Sequence, residues 1–477
     1  MPVIRVNQRD LRKSFSGIQA GSAIPPYKRP RLTGRETRAT SFPKKHLGAA
    51  GRLIDAGTAM SLSDPLPLHP FTHPVRGEVV LPGSKSITNR ALLLAALSDG
   101  PVTLTNALFS RDTELMAAAL NQLGIAVTTD AQAKTMHVVG CGGKIPVASA
   151  KLFVGNAGTA ARFLTAFVCL RPGGSYHFDS DPAMYRRPIG PLLDALESQG
   201  AKASTRAFPF TLQTAGLAGG TVEIDASESS QLLSALLLIG PHARSPLTAK
   251  LKGATVSRPF IAMTERMLAQ FAARPTTYAI ESDASAASYF LALPLVTGGQ
   301  LALPGYTTTG SLQGDVGFAH VLGKIGLSEA GHLGWVASAP PHRGLTADFN
   351  AFSDTFLTLA AIAPLLDGPT RITGIAHTRK QETDRVAGMA RELRKLGQDV
   401  REEDDALTIT PRPLKSGVEI ETYHDHRFAM SFGILGCHDL HDDGRPWLSI
   451  KDPGCCAKTF PNFFELLESL RVKSSAA

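Results

Sequence analysis

Along this chain a polar or charged cluster opens an apolar run six times. The instances are KSITNRALLLAAL from Lys85, NAGTAARFLTAF from Asn156, SSQLLSALLL from Ser229, DASAASYFLAL from Asp283, SDTFLTLAAIAPL from Ser353 and HDHRFAMSFGIL from His424. Their starts lie 71, 73, 54, 70 and 71 residues apart, a near-constant period that marks internal repeats. The one short interval falls between the third and fourth copies, where a break between two three-copy halves is expected. Past its opening cluster each run is nearly free of charge, and a helix that is apolar on most sides is a buried one.

Second, amphipathic segments follow, as in TELMAAALNQLGIAV from Thr113, RPIGPLLDALESQGA from Arg187 and RVAGMARELRKLGQDV from Arg385. Stops are expected at Gly124, Gly200 and Gly397, because glycine readily takes the left-handed conformation that ends a helix. Short β-rich stretches at Met136, Ser175 and Ala406 lie between them. The pattern predicts an α/β (α+β) chain of six β-α-β-α-β-β units, three in each half. Three buried helices side by side would present their N-termini together. Each such end carries unpaired N–H groups and about half a positive charge. An anion site is therefore expected in the cleft between the halves.

Composition narrows the class. Of 477 residues, 43% are hydrophobic and 19% charged, as in globular chains. No apolar run reaches the roughly 20 residues of a membrane span, so no membrane partner is expected. The net charge of +8 suggests nucleic acid until its distribution is examined. Residues 1–59 carry a balance of +9 and the remainder −1, so the body lacks the basic face that nucleic acid requires. The leader reads as a disordered tail, a transit peptide directing the chain to a plastid, or translated upstream sequence with the start at Met60; no catalytic role is expected of it. Salt-dependent nucleic-acid binding by the leader alone stays open. The five cysteines, Cys141, Cys169, Cys437, Cys455 and Cys456, are odd in number and form no CxxC pair. Neither a disulfide framework nor a zinc site is indicated, and reduced thiols in a cytoplasmic enzyme are expected.

The runs LPGSKSITNRALLLAAL (81–97), GNAGTAARFLTA (155–166), RRPIGPLLDAL (186–196), ETDRVAG (382–388), HDHRFAMSF from His424 and CAKTFPNFF (456–464) carry the chemistry. In this order they resemble the enolpyruvyl transferase family, and within it the members acting on shikimate 3-phosphate. The resemblance runs from about residue 70 to about residue 465. It implies two domains, residues 60–83 with 283–477 and residues 84–282, the chain crossing near Gly83 and Asp283. It implies a monomer that needs no cofactor or metal and moves the enolpyruvyl group of phosphoenolpyruvate to the 5-hydroxyl of shikimate 3-phosphate by addition and elimination.

By the same resemblance Lys85 touches both substrates and is catalytic. Ser86, Arg90, Ser229, Ser230, Gln231, Ser257, Asp354 and Gln381 would hold shikimate 3-phosphate. Gly158, Arg187, Gln231, Arg385, Arg427 and Lys458 would surround phosphoenolpyruvate. Asp354 would be the general base at the hydroxyl, and Glu382 would handle the proton at the methylene carbon. Several fixed cations suit two phosphates and two carboxylates held close together, with Arg where a planar bidentate grip is needed. Taken singly, Lys85 could be a solvated loop residue, Asp354 a helix cap, and Asn156 either a ligand contact or a cap.

GSKS shares residues with a phosphate-binding P-loop, but G-x-x-x-x-G-K-[ST] is not present, which excludes ATP on that ground. A UDP-N-acetylglucosamine enolpyruvyl transferase is the alternative enzyme. Its members often carry a loop Cys as acid, and the corresponding stretch DPAMYRRP has none. A non-catalytic relative would be expected to lose a reactive carboxylate, yet Asp354 and Glu382 are both retained. Four positions depart from common family patterns: Gln381 for Lys, His377 for Asn, Phe260 for Tyr and Phe163 for Pro. Lys380 and Arg379 stand ready to replace the cation lost at Gln381.

Overall fold

The computed structural model describes residues 3–6, 62–253, 255–331, 334–340 and 342–476. Its helices come in pairs. In one half these are α1 (Lys85–Leu97) with α2 (Arg111–Gln122), α3 (Gly158–Val168) with α4 (Gly190–Glu197), and α5 (Ser230–Ile239) with α6 (Arg258–Ala272). In the other they are α7 (Ala284–Thr297) with α8 (Gly317–Gly323), α9 (Phe356–Ile362) with α10 (Arg385–Lys395), and α11 (His426–Leu435) with α12 (Phe463–Ser475). The first member of each pair is one of the six apolar runs. Helices α3, α9 and α11 are buried at every position. In α1 and α5 only Lys85, Ser86 and Gln231 escape burial; all three are candidate site residues. The expected stops hold, with Gly124, Gly200 and Gly397 at positive φ just past their helices.

Among the described residues six sheets cover these helices, three of four strands and three of three. In two of them the unit is complete: one parallel pair followed by an antiparallel hairpin. These are Ser149–Phe153, Pro172–Asp179, Phe210–Ala215 and Lys202–Ala203, and likewise Thr346–Asp348, Thr370–Thr373, Ala406–Thr410 and Asp399–Glu403. Elsewhere strands are exchanged. The first unit takes its parallel edge from Thr277–Ala279, and the fourth is bridged by Val75 and Glu78.

The third and sixth units depart from the expected pattern because they have no closing hairpin. Each is a parallel pair, Gly220–Asp225 with Leu247–Lys252 and Val418–Ile420 with Leu448–Ile450. The third strand is antiparallel and comes from earlier in the chain, Val3–Val6 in one case and Leu66–Pro67 in the other. The hairpin missing from the third unit is the physical reason for the short interval before Asp283. Val3–Val6 is a strand within the leader, one of whose readings was a disordered tail. Its VIRV run is β-branched, and the edge strand it meets has unpaired backbone groups to satisfy. The rest of the leader, including Met60, lies outside the described residues.

The buried apolar residues form two cores. One draws on Ile87 to Ile280 with Leu312, the other on Leu68 to Leu81 and Ala286 to Leu470. Between them run two chain segments bonded side by side: the Ser84 amide donates to the Glu281 carbonyl at 2.8 Å and the Asp283 amide to the Pro82 carbonyl at 2.9 Å. At Gly83 a Cβ would stand 1.9 Å from the Asn106 carbonyl oxygen, so only glycine lets the backbones approach this closely. Among the described residues no helix is long and apolar enough to cross a membrane.

Candidate active site

A cleft opens where residues from both cores face one another. Twelve of the candidates line it: Lys85, Ser86, Arg90, Arg187, Ser229, Ser230, Gln231, Ser257, Asp354, Gln381, Glu382 and Arg385. Gly158, Arg427 and Lys458 stand just behind that lining and reach it through the contacts described below.

The first two turns of α1 supply Lys85, Ser86 and Arg90. Lys85 Nζ lies 3.4 Å from Asp112 Oδ2, in the first turn of α2. Arg90 is fully buried and has no carboxylate partner among the described residues. Its Nε donates to Thr264 Oγ1 at 2.8 Å, and other guanidinium nitrogens donate to the carbonyls of Ser86 and Phe260. Burial pushes it down to about 9, so it is still a cation at neutral pH. Phe163 and Phe260 flank it, their ring centres 5.2 and 5.9 Å from the guanidinium carbon. Two of the departures thus pack on one cation, and the aromatic faces attract it.

The N-terminus of α3 brings in Gly158 and, from the following loop, Arg187. A Cβ at Gly158 would lie 2.4 Å from Arg187 Nη2, so the missing side chain is what lets this guanidinium rest on the helix end. Asn156 does not cap α3. Its Oδ1 and carbonyl oxygen both accept from Arg187 Nη1, at 3.1 and 3.2 Å. Arg187 itself precedes α4 instead of opening it. At the start of α5, Ser229 Oγ accepts from the Gln231 amide at 3.3 Å, leaving Ser230 buried in the first turn. Ser257, at φ +50°, meets His377 Nε2 at 3.3 Å across the cleft, and the same nitrogen meets Ser353 Oγ at 2.8 Å.

The second half supplies alternating charges. Asp354 binds Arg385 at 3.0 Å and Arg427 at 2.5 Å. Glu382 binds Lys458 and Arg385 at 2.8 Å each, with Arg187 at 3.9 Å from across the cleft. Arg385 is further held by Asp425 at 2.7 Å and donates to Gln381 Oε1. Burial raises the Asp354 carboxyl, but the guanidiniums of Arg427 and Arg385 outweigh it and hold it below its ordinary value. At Glu382 burial is likewise outweighed, by Lys458, Arg385 and Arg187, and this carboxyl sits well below the usual range. Both are therefore ionised before any ligand arrives.

Replacement of the cation missing at Gln381 does not occur as expected at Arg379. That guanidinium is engaged by Asp384, Glu402 and the carbonyls of Asp404 and Glu403. Lys380 does line the cleft, paired to Glu228 from the other side. Sequence reading also missed Arg162, Ser353 and Glu228 in the lining and Asp112 and Asp425 behind it. Arg162 was visible as the one charge inside the apolar run from Asn156. Asp425 was visible as the one acid inside the HDHRFAMSF run, whereas Asp112 had no signal beyond lying next to Thr113.

Comparison with known proteins gives a consistent result. The family model described as EPSP synthase (3-phosphoshikimate 1-carboxyvinyltransferase) matches residues 71–467. A 3-phosphoshikimate 1-carboxyvinyltransferase of Opitutus terrae is 55% identical over 442 residues, covering 87% of this chain and all of that protein. One of Nostoc punctiforme is 40% identical over 433 residues, covering 85% of this chain and all of that protein. Among solved structures, an EPSP synthase of Acinetobacter baumannii matches with a TM-score of 0.69 at 23% identity, over 86% of this chain and 98% of that one. An enolpyruvyl transferase of Streptomyces tendae matches with a TM-score of 0.64 at 17% identity, over 84% and 96%.

Proposed function

The chain belongs to the EPSP synthase family of 3-phosphoshikimate 1-carboxyvinyltransferases, and from that premise we propose that enolpyruvyl transfer to shikimate 3-phosphate takes place in this cleft. The observation that carries the assignment of the cleft is a fully buried guanidinium, Arg90, that lines it without a carboxylate partner among the described residues. A buried charge without a counterion is costly, and an anionic substrate supplies the missing partner. The acceptor's phosphate goes to Ser229, Ser230 and Ser257, with Ser86 and Arg90 beneath it. Phosphoenolpyruvate goes between Arg187 with Gly158 on one side and Arg385, Arg427 and Lys458 on the other.

Two cores facing one cleft favour reading each core as a domain that supplies half of the site. Asp354, placed between Arg385 and Arg427, takes the proton of the 5-hydroxyl as its oxygen bonds to the central carbon of phosphoenolpyruvate. The methylene carbon gains a proton from Glu382, protonated in the substrate complex, giving a tetrahedral adduct. Elimination then breaks the carbon–oxygen bond to phosphate as the methyl group returns a proton to Glu382. Glu382 is ionised in the free enzyme because three cations surround it. Substrate anions that engage those cations weaken their hold on it, raise its proton affinity and fit it for exchange at that carbon. Lys85, beside Asp112, serves both substrates from the end of α1.

A UDP-N-acetylglucosamine acceptor is not favoured, since the curated relatives quoted above share the shikimate name. The chain acts on small molecules, as a monomer in the cytoplasm. Titrating shikimate 3-phosphate against the wild type and Arg90→Met tests the assignment of the cleft. Binding is expected to fall at least about tenfold in the variant, and unchanged binding would move the acceptor elsewhere.

A further inference from the structure

Arg162 is buried to 1% exposure in the middle of α3, where no motif reading gave it a role. Its Nη1 donates to the Gly158 carbonyl at 3.3 Å and contacts Met184 Sδ at 3.2 Å, and its Nη2 donates to the Pro188 carbonyl at 2.5 Å. Its Nε has no partner among the described residues. The two carbonyls it holds belong to Gly158 and to the residue after Arg187, so one planar fork spans both sides of the Gly158–Arg187 contact. A salt bridge would have anchored this side chain more cheaply, yet none is present among the described residues. Arg187 and Glu382 are the charged groups nearest to it in effect, and burial with Arg187 alongside drives its proton affinity well down.

We infer that Arg162 is a positioning residue for phosphoenolpyruvate: its fork fixes the Arg187 guanidinium against the bare backbone of Gly158, and its charge adds to the field at that end of the cleft. The inference rests on the assignment of phosphoenolpyruvate to this end of the cleft. A purely structural arginine would be interchangeable, as far as the substrates are concerned, with any side chain that keeps the fold. A positioning arginine is not, because the angle of Arg187 depends on two carbonyl bonds that only a planar fork makes together.

The test compares Arg162→Lys, which keeps the charge and loses the fork, with Arg162→Gln, which loses the charge. KM for phosphoenolpyruvate is expected to rise about tenfold or more in both, while KM for shikimate 3-phosphate stays within about twofold and melting temperature stays close to that of the wild type. A Lys variant with unchanged KM for phosphoenolpyruvate overturns the inference, as does a parallel rise in both KM values. Should the Gln variant fail to fold, the Lys variant decides alone. The thermal shift produced by phosphoenolpyruvate is recorded in parallel. If the wild type shows that shift without releasing phosphate, the reaction assignment fails, and loss of the shift in the variants still supports Arg162.

Discussion

The carboxylate of Asp283 joins the first turns of two helices in different cores. Its Oδ2 accepts from the Lys85 amide at 3.0 Å, and its Oδ1 accepts from the Ala286 amide at 2.9 Å. Ser84, the residue before α1, makes no side-chain cap of its own. Asp283 therefore caps α1 from across the junction as well as capping α7, and it fixes where Lys85 begins. Asp283→Ser keeps a good cap for α7 but is too short to serve Lys85, whereas Asp283→Ala loses both. The Ala variant is expected to lose about 1 kcal/mol of stability and the Ser variant little. Both are expected to lose roughly tenfold in kcat/KM, because Lys85 is no longer held in place. Thermal melts beside steady-state kinetics check this; full activity in the Ser variant would detach Asp283 from the site.

Asp354→Asn should lower kcat by about 10²–10⁴ if this carboxylate takes the hydroxyl proton. Its removal also strips a counterion from Arg385 and Arg427, so anion binding should hold or tighten. Steady-state kinetics with both substrates varied separates the two effects, and an unchanged kcat would remove Asp354 from the chemistry.

Asp315 provides a pH signature. It is buried, accepts from Ser285 Oγ at 3.0 Å, and is raised to about 7, first by burial and then by Asp354. Its folded-state proton affinity exceeds that of the unfolded chain, so its contribution to stability is complete below about pH 4 and is lost as pH rises through about 7. Asp315→Asn does not ionise. Its melting temperature relative to the wild type should therefore be higher at pH 8 than at pH 5. A difference between variant and wild type that stays constant with pH would refute this. His426 works in the opposite sense: burial holds it well below its ordinary value, so protonation of the unfolded chain costs stability as pH falls below about 6.5.

Gln381→Lys returns the cation common in the family to a side chain that now accepts from Arg385. Turnover should persist, with KM for shikimate 3-phosphate unchanged or lower. Complete loss of activity would mean that this stretch is arranged differently from the family pattern.

The large features were legible because they have a period or a motif. Six apolar runs at near-constant spacing announced six buried helices, and the clusters opening the first, third and fifth marked residues that line the cleft, among them Lys85, Ser229 and Asp354. What could not be read depends on partners distant in sequence. The strand VIRV looks like part of a basic leader until it meets Leu247–Lys250. The Tyr-to-Phe change at 260 looks like a lost hydroxyl until Phe163 and Phe260 are seen on either side of Arg90. The exclusion of Arg379 from the cleft follows from Glu402 and the backbone of Asp404, which no spacing rule connects to it.

The most direct test of the account is phosphate release by the full chain supplied with phosphoenolpyruvate and one acceptor at a time. Release with shikimate 3-phosphate, none with UDP-N-acetylglucosamine, and its collapse in Asp354→Asn are the predicted results. Release that favours UDP-N-acetylglucosamine, or none with either acceptor from folded protein, would contradict it.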